Sequence, residues 1–241
     1  MHAACLRSYA RVGARIKLYV YERPIDVPSN VEIADANAII RREKIFRHKK
    51  SNSYAVFVDF FRYVLLQKTN ELYVDCDMFC LRKIEPAEYI YGYEDKQYIA
   101  IGILRIPSNS ALLKKLIHIA SFPLVFPPWM GRRQPLEAFG RNLLGDGPTA
   151  RHLDWASTGP RALTYYANQL NLSHHASPVA RFYPIGWREV AKMFDPNISL
   201  ADVIDHNTDF VHLSNEVHRR ENFGEPPKGS ILYNLMHDIV A

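Results

Sequence analysis

The chain has 241 residues and a formal net charge of +5, with 48% hydrophobic and 23% charged residues. This balance is that of a globular chain long enough for one sizeable core, and it excludes an intrinsically disordered protein. No uninterrupted apolar run approaches the length of a membrane span. Apart from one dense cluster over residues 41–50, the basic residues are dispersed, and the sequence shows no nucleic-acid-binding motif. This argues against a nucleic-acid module, while the positive charge favours anionic small molecules or an anionic membrane surface.

Hydrophobic periodicity and turn residues predict an alternation of helices and strands. The predicted helices are Ala3–Val12, Ala36–Arg42 (capped by Asp35), Ser53–Lys68, Asn109–Ala120, Leu136–Leu144, Arg161–Leu170 and Ile231–Val240. The predicted strands are Ile16–Tyr21, Val31–Ile33, Leu72–Val74, one or two within Tyr98–Ile106, Val179–Tyr183 and Asp209–Leu213. A strand–helix–strand order this early predicts a mostly parallel sheet, so we expect one α/β domain over residues 1–241.

The chain has three cysteines, Cys5, Cys76 and Cys80. An odd number forms no paired disulfide framework, and the spacing from Cys76 to Cys80 lacks the second ligand pair of a zinc site. Unpaired cysteines favour a reducing cytoplasm. Alternation of side chains turns Cys76 away from its flanking aspartates and towards the core.

An Asp-x-Asp sequence, Asp75 and Asp77, directly follows the apolar segment Leu72–Val74. In an extended backbone, side chains two apart point the same way, so both carboxylates would aim at one point past the strand. Hard oxygen ligands suit Mg²⁺ or Mn²⁺, with phosphate oxygens and water completing the coordination. The pattern indicates transfer from a diphosphate-activated donor, and its competing interpretation is two solvated aspartates at a strand end.

The helix–strand pair around this motif resembles a family pattern in which Ser-Asp-x-x-Arg-Tyr on a helix precedes a strand ending in Asp-x-Asp. The matching segments here are Val58–Tyr63 and Leu72–Asp77. Weaker matches occur in the same order along nearly the whole chain, at Leu18–Tyr21, Asp35–Asn37, Thr158–Pro160, Phe182–Trp187 and Val211–Leu213. The pattern is similar to that of family-32 glycosyltransferases, which include the yeast initiating mannosyltransferases, and to the catalytic core of clostridial glucosylating toxins.

This resemblance implies a GT-A-like fold, a single domain with a central, mostly parallel sheet and a nucleotide-sugar site at the strand ends. It implies a metal-dependent, retaining hexosyltransferase that uses Mn²⁺ or Mg²⁺ and a UDP- or GDP-sugar donor. The acceptor would be a glycan, a lipid-linked sugar or another hydroxyl compound, as in the synthesis of surface polysaccharide. We therefore expect a cytoplasmic protein, with peripheral association at the anionic inner face of the membrane as a further expectation.

The resemblance also assigns roles to individual residues. The implied metal ligands are Asp75, Asp77 and His212, the last helped by Ser214, Asn215 or Glu216. The implied catalytic residues are Asp59, Arg62 and Asp77, and the implied donor-binding residues are Asp59, Arg62, Tyr73, Asp75 and Gly159. The spacing of Asp59 and Arg62 independently supports a shared role for these two residues, because residues three apart on a helix lie on the same face.

Each assignment has a simpler alternative. Asp59 and Arg62 would form an ordinary intrahelical salt bridge, His212 would be a satisfied surface histidine, and Gly159 would only start a helix. Trp155 and Trp187 would border the acceptor or belong to the core.

The sequence departs from the family pattern at three places. Asn70 and Glu71 replace a Gly-Gly pair, Val58 replaces a serine, and family members have another strand before the helix on which this sequence opens. These departures support the alternative of a degenerate, inactive domain that binds a sugar nucleotide or a protein partner. An aspartyl-phosphate phosphohydrolase also uses Asp-x-Asp, but Met78 and Phe79 do not fit the residues which that class needs next.

Overall fold

Seven helices and eight short strands make up the regular structure in a computed structural model that describes residues 1–121, 127–130, 136, 140, 143–145, 149–154 and 156–239. The helices are α1 His2–Arg11, α2 Ala55–Thr69, α3 Ala111–Ser121, α4 Pro160–Gln169, α5 Val179–Phe182, α6 Asn215–Glu221 and α7 Ile231–Met236. The strands are β1 Ile16–Val20, β2 Val31–Asp35, β3 Tyr73–Val74, β4 Met78–Cys80, β5 Tyr91–Gly92, β6 Ile103–Leu104, β7 Ala176–Ser177 and β8 Phe210–His212. The α/β class expected from the sequence is therefore confirmed.

The described strands pair in twos. β1 runs parallel to β2, with Ile16 opposite Val31 and Val20 opposite Asp35, and β5 runs parallel to β7. In contrast, β3 pairs with β6 and β4 with β8 in antiparallel orientation. Among the described residues, these four pairs are small and of mixed orientation. They do not confirm the central, mostly parallel sheet that we expected, and that sheet stays a prediction.

Helix α2 carries the packing on which the site depends. One part of its surface packs Phe57 and Leu65 against Ile39 and Ile40. Another part, which includes Tyr63 and Leu66, lies in a core cluster shared with α3 and α4. The helix ends where Asn70 adopts the left-handed conformation with φ 55°, which asparagine tolerates better than most residues. This turn leads the chain directly into β3 and the Asp-x-Asp segment.

Several predicted elements differ from the structure in their length or type. The predicted helix Ala36–Arg42 is only a short 3₁₀ turn, Ala36–Ala38, although Asp35 does cap it by accepting the Asn37 N–H at 2.8 Å. The predicted terminal helix stops at Met236. The segment Val179–Tyr183, predicted as a strand, is instead the helix α5, closed by a 2.8 Å hydrogen bond from the Tyr183 N–H to the Val179 carbonyl.

The interpretation of Cys76 was wrong, because this residue is exposed. The strand ends at Val74, and the Met78 N–H bonds back to the Asp75 carbonyl at 3.1 Å, so residues 75–78 form a turn. Alternation of side chains applies only while the backbone stays extended.

Two further predictions fall largely outside the described residues, namely the helix Leu136–Leu144 and the position of Trp155. Within the described ranges, none of the helices combines the length and the apolar character that crossing a membrane demands.

Candidate functional site

Helix α2 buries an acidic and a basic side chain, Asp59 and Arg62, whose residues are only 6% and 5% exposed. Their spacing places both on one face, with Arg62 Nη2 3.7 Å from Asp59 Oδ1. The structure therefore brings the pair together, as the sequence predicts, but it does so inside the protein. Charged groups at such depth need partners that offset their loss of hydration.

Arg62 connects α2 to the Asp-x-Asp segment. Its Nη1 donates to the Ile101 carbonyl at 2.5 Å and lies 3.3 Å from Asp75 Oδ2. The guanidinium also lies over the Tyr73 ring, 4.7 Å from its centroid. Burial disfavours the charge, but Asp75 and its neighbours raise the pKa of Arg62 above the ordinary value, so the side chain stays cationic. Its Nε has no hydrogen-bond partner among the described residues.

Asp59 is held from the opposite side by the loop before α4. The Thr158 hydroxyl donates to Asp59 Oδ2 at 2.8 Å. Next to it, a Cβ on Gly159 would lie 3.0 Å from Asp59 Oδ2 and 2.7 Å from Ile101 Cδ1. Only glycine allows this close approach of backbone and carboxylate. Burial raises the pKa of Asp59 to about 6, although Arg62 and Thr158 act in the opposite direction.

Asp75, the first residue of the Asp-x-Asp pair, has two protein partners besides its backbone. Oδ1 accepts a 2.6 Å hydrogen bond from the Tyr73 hydroxyl, and Oδ2 faces Arg62. Its N–H donates to the Gly102 carbonyl at 2.8 Å, which continues the pairing of β3 with β6 for one residue. Its side chain is 26% exposed, so this carboxylate reaches the surface at the edge of the buried Arg62.

Asp77, the second residue of the pair, engages the C-terminal part of the chain instead. Its Oδ2 lies 3.3 Å from His212 Nε2 and accepts the Asn215 N–H at 3.0 Å. Burial opposes its charge, but His212 and Asn215 hold the pKa of Asp77 well below its ordinary value. Burial likewise lowers the pKa of His212, but Asp77, helped by Asp75 and Glu94, raises it above the ordinary 6.5.

The predicted site residues thus form two adjoining groups. Asp59, Arg62, Tyr73, Asp75 and Gly159 surround the guanidinium, whereas Asp77 and His212 form an ion pair beside them. The Tyr183 ring stands edge-on to His212 with centroids 5.6 Å apart. Its hydroxyl oxygen and Asp75 Oδ2 both approach Gly102, within 3.0 and 3.2 Å of the position of a Cβ there, so Tyr183 adjoins both groups.

The three predicted metal ligands differ in how they are engaged. Carboxylate oxygens and an imidazole nitrogen are donor types that suit Mn²⁺. Asp77 and His212 already lie side by side, whereas Asp75 faces Arg62 and Tyr73. Among the described residues, no group of three or more His, Cys, Asp or Glu side chains is arranged to hold a metal ion.

Sequence reasoning missed three residues of this region. Thr158 and Tyr183 stand in segments that match the family pattern, but neither was given a role. Glu94 follows β5 in a turn and carried no sequence signal. Burial and Asp95 raise the pKa of Glu94 to about 7, and its charge acts on both His212 and Tyr183. A partly buried carboxylate whose charge acts on His212 and Tyr183 is a feature that only the tertiary structure places.

Trp187, predicted to border the acceptor or to belong to the core, is 42% exposed and stacks with Arg188. It is therefore not a core residue. Comparisons of the chain with protein-family models, with curated proteins and with solved structures found no match, so the conclusions about its chemistry rest on the residues themselves.

Proposed function

We propose that the protein is a metal-dependent glycosyltransferase that moves a hexose from a UDP- or GDP-sugar to a hydroxyl of a glycan or lipid-linked acceptor. The observation that carries the proposal is the buried Arg62, which faces carboxylates of both α2 and the Asp-x-Asp segment. A buried cation whose Nε has no partner among the described residues offers a donor to an oxygen-rich ligand. A GT-A-like arrangement of the domain belongs to the same proposal.

The roles of the residues follow from their contacts. Arg62 stabilises the negative charge that builds up on the leaving diphosphate, because preorganised charges in a buried site do so without reorganisation. Asp59, held by Thr158 and Arg62, accepts hydrogen bonds from hydroxyls of the donor sugar when it is ionised. Tyr73 holds the Asp75 carboxylate and stacks under Arg62, and so acts by positioning both groups.

Three residues, Asp75, Asp77 and His212, would hold the divalent ion. Mn²⁺ fits this set better than Mg²⁺, because imidazole nitrogen is a poor ligand for Mg²⁺. When bound, the ion would neutralise diphosphate charge and ease departure of the nucleotide. His212 then serves as a ligand only in its neutral form, and Asp77 keeps a second contact through the Asn215 N–H at 3.0 Å.

We propose retention of configuration at the transferred sugar, with the acceptor hydroxyl attacking on the face from which the diphosphate leaves. The leaving phosphate oxygen takes the acceptor proton, so no protein nucleophile is required. A net charge of +5 suits association with an anionic membrane, where lipid-linked acceptors would lie.

The test is nucleotide release from a panel of UDP- and GDP-sugars in the presence of Mn²⁺, with and without a chelator. We expect release with at least one donor, and a loss on the order of 100-fold in Asp77→Asn and in Asp75→Asn. The matched control is Asp238→Asn, which removes a carboxylate from an exposed ion pair with Arg7 and should leave release unchanged. No release with any donor, together with no metal-dependent binding of UDP or GDP, would overturn the proposal.

A second candidate is a degenerate domain that binds a sugar nucleotide without turnover. It is favoured by the existing partners of the Asp-x-Asp pair, since Arg62 and Tyr73 engage Asp75 while His212 engages Asp77. The same panel separates the two candidates. Binding of UDP or GDP by isothermal titration calorimetry, without release from any donor, would support the degenerate domain.

A further inference from the structure

The Tyr183 hydroxyl is a buried donor without an acceptor among the described residues. The residue is only 4% exposed, and its hydroxyl proton has no acceptor in the part of the chain that the structure describes. Burial, with Asp75 and Glu94 adding to it, raises the pKa of Tyr183 well above its ordinary value, so the hydroxyl keeps its proton. Buried polar groups are nearly always hydrogen-bonded, so an unpaired donor at this depth requires an explanation.

The hydroxyl lies at the edge of the proposed donor site. A Cβ on Gly102 would be 3.0 Å from Tyr183 Oη and 3.2 Å from Asp75 Oδ2, so both oxygens approach the same point. The backbone of Gly102 acts to lower the pKa of Tyr183, as an N–H donor does. It therefore does not accept the hydroxyl proton. The absence of a side chain at Gly102 lets the phenol come close to the carboxylate.

Two donors that lack an acceptor among the described residues, the Tyr183 hydroxyl and Arg62 Nε, belong to one cluster around Asp75. A ligand rich in oxygen acceptors would satisfy both. A sugar ring also carries hydroxyl donors, which suit the Asp75 carboxylate beside the phenol. A purely structural tyrosine would pair its hydroxyl inside the fold, as Tyr63 does with the Thr158 carbonyl at 2.9 Å.

We propose that Tyr183 is a donor-binding residue whose hydroxyl donates a hydrogen bond to a hydroxyl oxygen of the transferred sugar next to Asp75. This inference rests on the proposed function, because it assigns a contact within that site. The contact goes to the sugar and not to the nucleotide. Removing the hydroxyl therefore weakens binding of a UDP-sugar but not of UDP.

The experiment compares the wild-type protein with Tyr183→Phe, which deletes only the hydroxyl. Isothermal titration calorimetry with Mn²⁺ measures the Kd of UDP and of UDP-glucose, with GDP and GDP-mannose as a second pair. We expect Tyr183→Phe to weaken binding of the sugar nucleotide roughly tenfold while the Kd of the free nucleotide is unchanged. Its Tm should stay close to that of the wild type, because the hydroxyl donates to no acceptor among the described residues and loses only the approach of the Gly102 N–H.

The matched control is Tyr91→Phe. The Tyr91 hydroxyl donates to the Leu172 carbonyl at 2.8 Å, so its removal should lower the Tm and leave both dissociation constants unchanged. The opposite pattern for Tyr183→Phe, a lowered Tm with unchanged sugar-nucleotide binding, would show a structural hydroxyl and overturn the inference.

The outcomes separate the inference from the function. If the wild type binds sugar nucleotides more tightly than free nucleotides and Tyr183→Phe does the same, the inference is wrong while the proposed function stands. If the wild type binds none of UDP, GDP, UDP-glucose and GDP-mannose, the proposed function fails and this assignment fails with it.

Discussion

Arg62 and Asp75 form an ion pair between helix α2 and the Asp-x-Asp segment, with Nη1 3.3 Å from Oδ2. The helix supplies the cation at 6% side-chain exposure, and the segment after β3 supplies a carboxylate that reaches the surface. The same guanidinium faces Asp59 and the Ile101 carbonyl. One buried cation therefore links the two motifs that the sequence presents separately.

Replacing Arg62 should destabilise the protein strongly. Arg62→Met leaves Asp59 and Asp75 without their cation, and removal of one partner of a buried pair typically costs ~3–5 kcal/mol. Arg62→Lys keeps the charge but loses the planar fork that reaches several acceptors at once, so an intermediate loss is expected. Urea denaturation measures the free energy of unfolding of both variants and of the wild type.

The control for Arg62 is Arg219→Met, which breaks an exposed pair with Glu216 and should cost at most ~1 kcal/mol. Equal losses in the buried and the exposed variant would contradict the view that Arg62 links the two motifs.

Activity should decline as the pH falls below about 6, the pKa to which burial raises Asp59. A protonated Asp59 carries no charge and accepts hydrogen bonds less well. Folding raises the pKa of Asp59 from 3.8 to about 6. Its contribution to stability is therefore complete below pH 3.8 and is lost as the pH rises through about 6. The kcat/KM for nucleotide release, measured against pH, reports the acid limb.

Thr158→Val should move that acid limb to higher pH. The Thr158 hydroxyl donates to the ionised carboxylate of Asp59 and so lowers its pKa. Thr164→Val serves as the control, since the Thr164 hydroxyl donates to the Pro160 carbonyl at 2.7 Å and accepts the Ile99 N–H at 2.8 Å, so its bonds go to backbone groups. An acid limb that shifts equally in both variants would exclude Asp59 as its source.

The Asp77–His212 pair should stabilise the fold most in mildly acidic solution. Folding raises the pKa of His212 above 6.5, so its contribution is complete below that value and is lost as the pH rises through the folded pKa. Folding lowers the pKa of Asp77, so its contribution is present above its ordinary 3.8. At about pH 5, which lies between the ordinary pKa values of aspartate and histidine, both residues contribute fully to stability.

A double-mutant cycle with Asp77→Asn and His212→Gln measures this coupling by urea denaturation in the presence of a chelator. We expect a coupling of ~1–3 kcal/mol at about pH 5 that shrinks at about pH 9. A coupling that does not change with pH would mean that the two side chains interact without an ion pair.

Gly159→Ala should lower both stability and activity. The added methyl group would meet Ile101 Cδ1 at 2.7 Å and Asp59 Oδ2 at 3.0 Å, so the carboxylate or the helix start must move. Overpacking of this kind costs ~1–3 kcal/mol. Gly224→Ala is the matched control, because its methyl group would have no neighbour within 4 Å. Thermal unfolding and nucleotide release compare the two variants.

Local patterns predicted the elements that depend on near neighbours. The apolar period of α2 and the three-residue spacing of Asp59 and Arg62 are properties of one helix, and the structure shows both. The strand before the Asp-x-Asp pair was also predicted correctly, but its extension through Cys76 was not, because the chain turns after Val74.

The segment Val179–Tyr183 was predicted as a strand, yet Pro178 precedes a short helix there. Intrinsic preference is weak over so few residues, and the surrounding structure overrides it. For the same reason, the orientation of Tyr183 could not be read from the segment that contains it.

By itself, the sequence determined the α/β class and the helix that carries Asp59 and Arg62. Only the tertiary structure decided that Thr158 holds Asp59 across 99 positions of chain, and that Asp77 pairs with His212 while Asp75 faces Arg62. These contacts join segments that are distant in sequence. They form because burial forces each charged group to find a partner, and helical or strand periodicity does not specify which distant partner that will be.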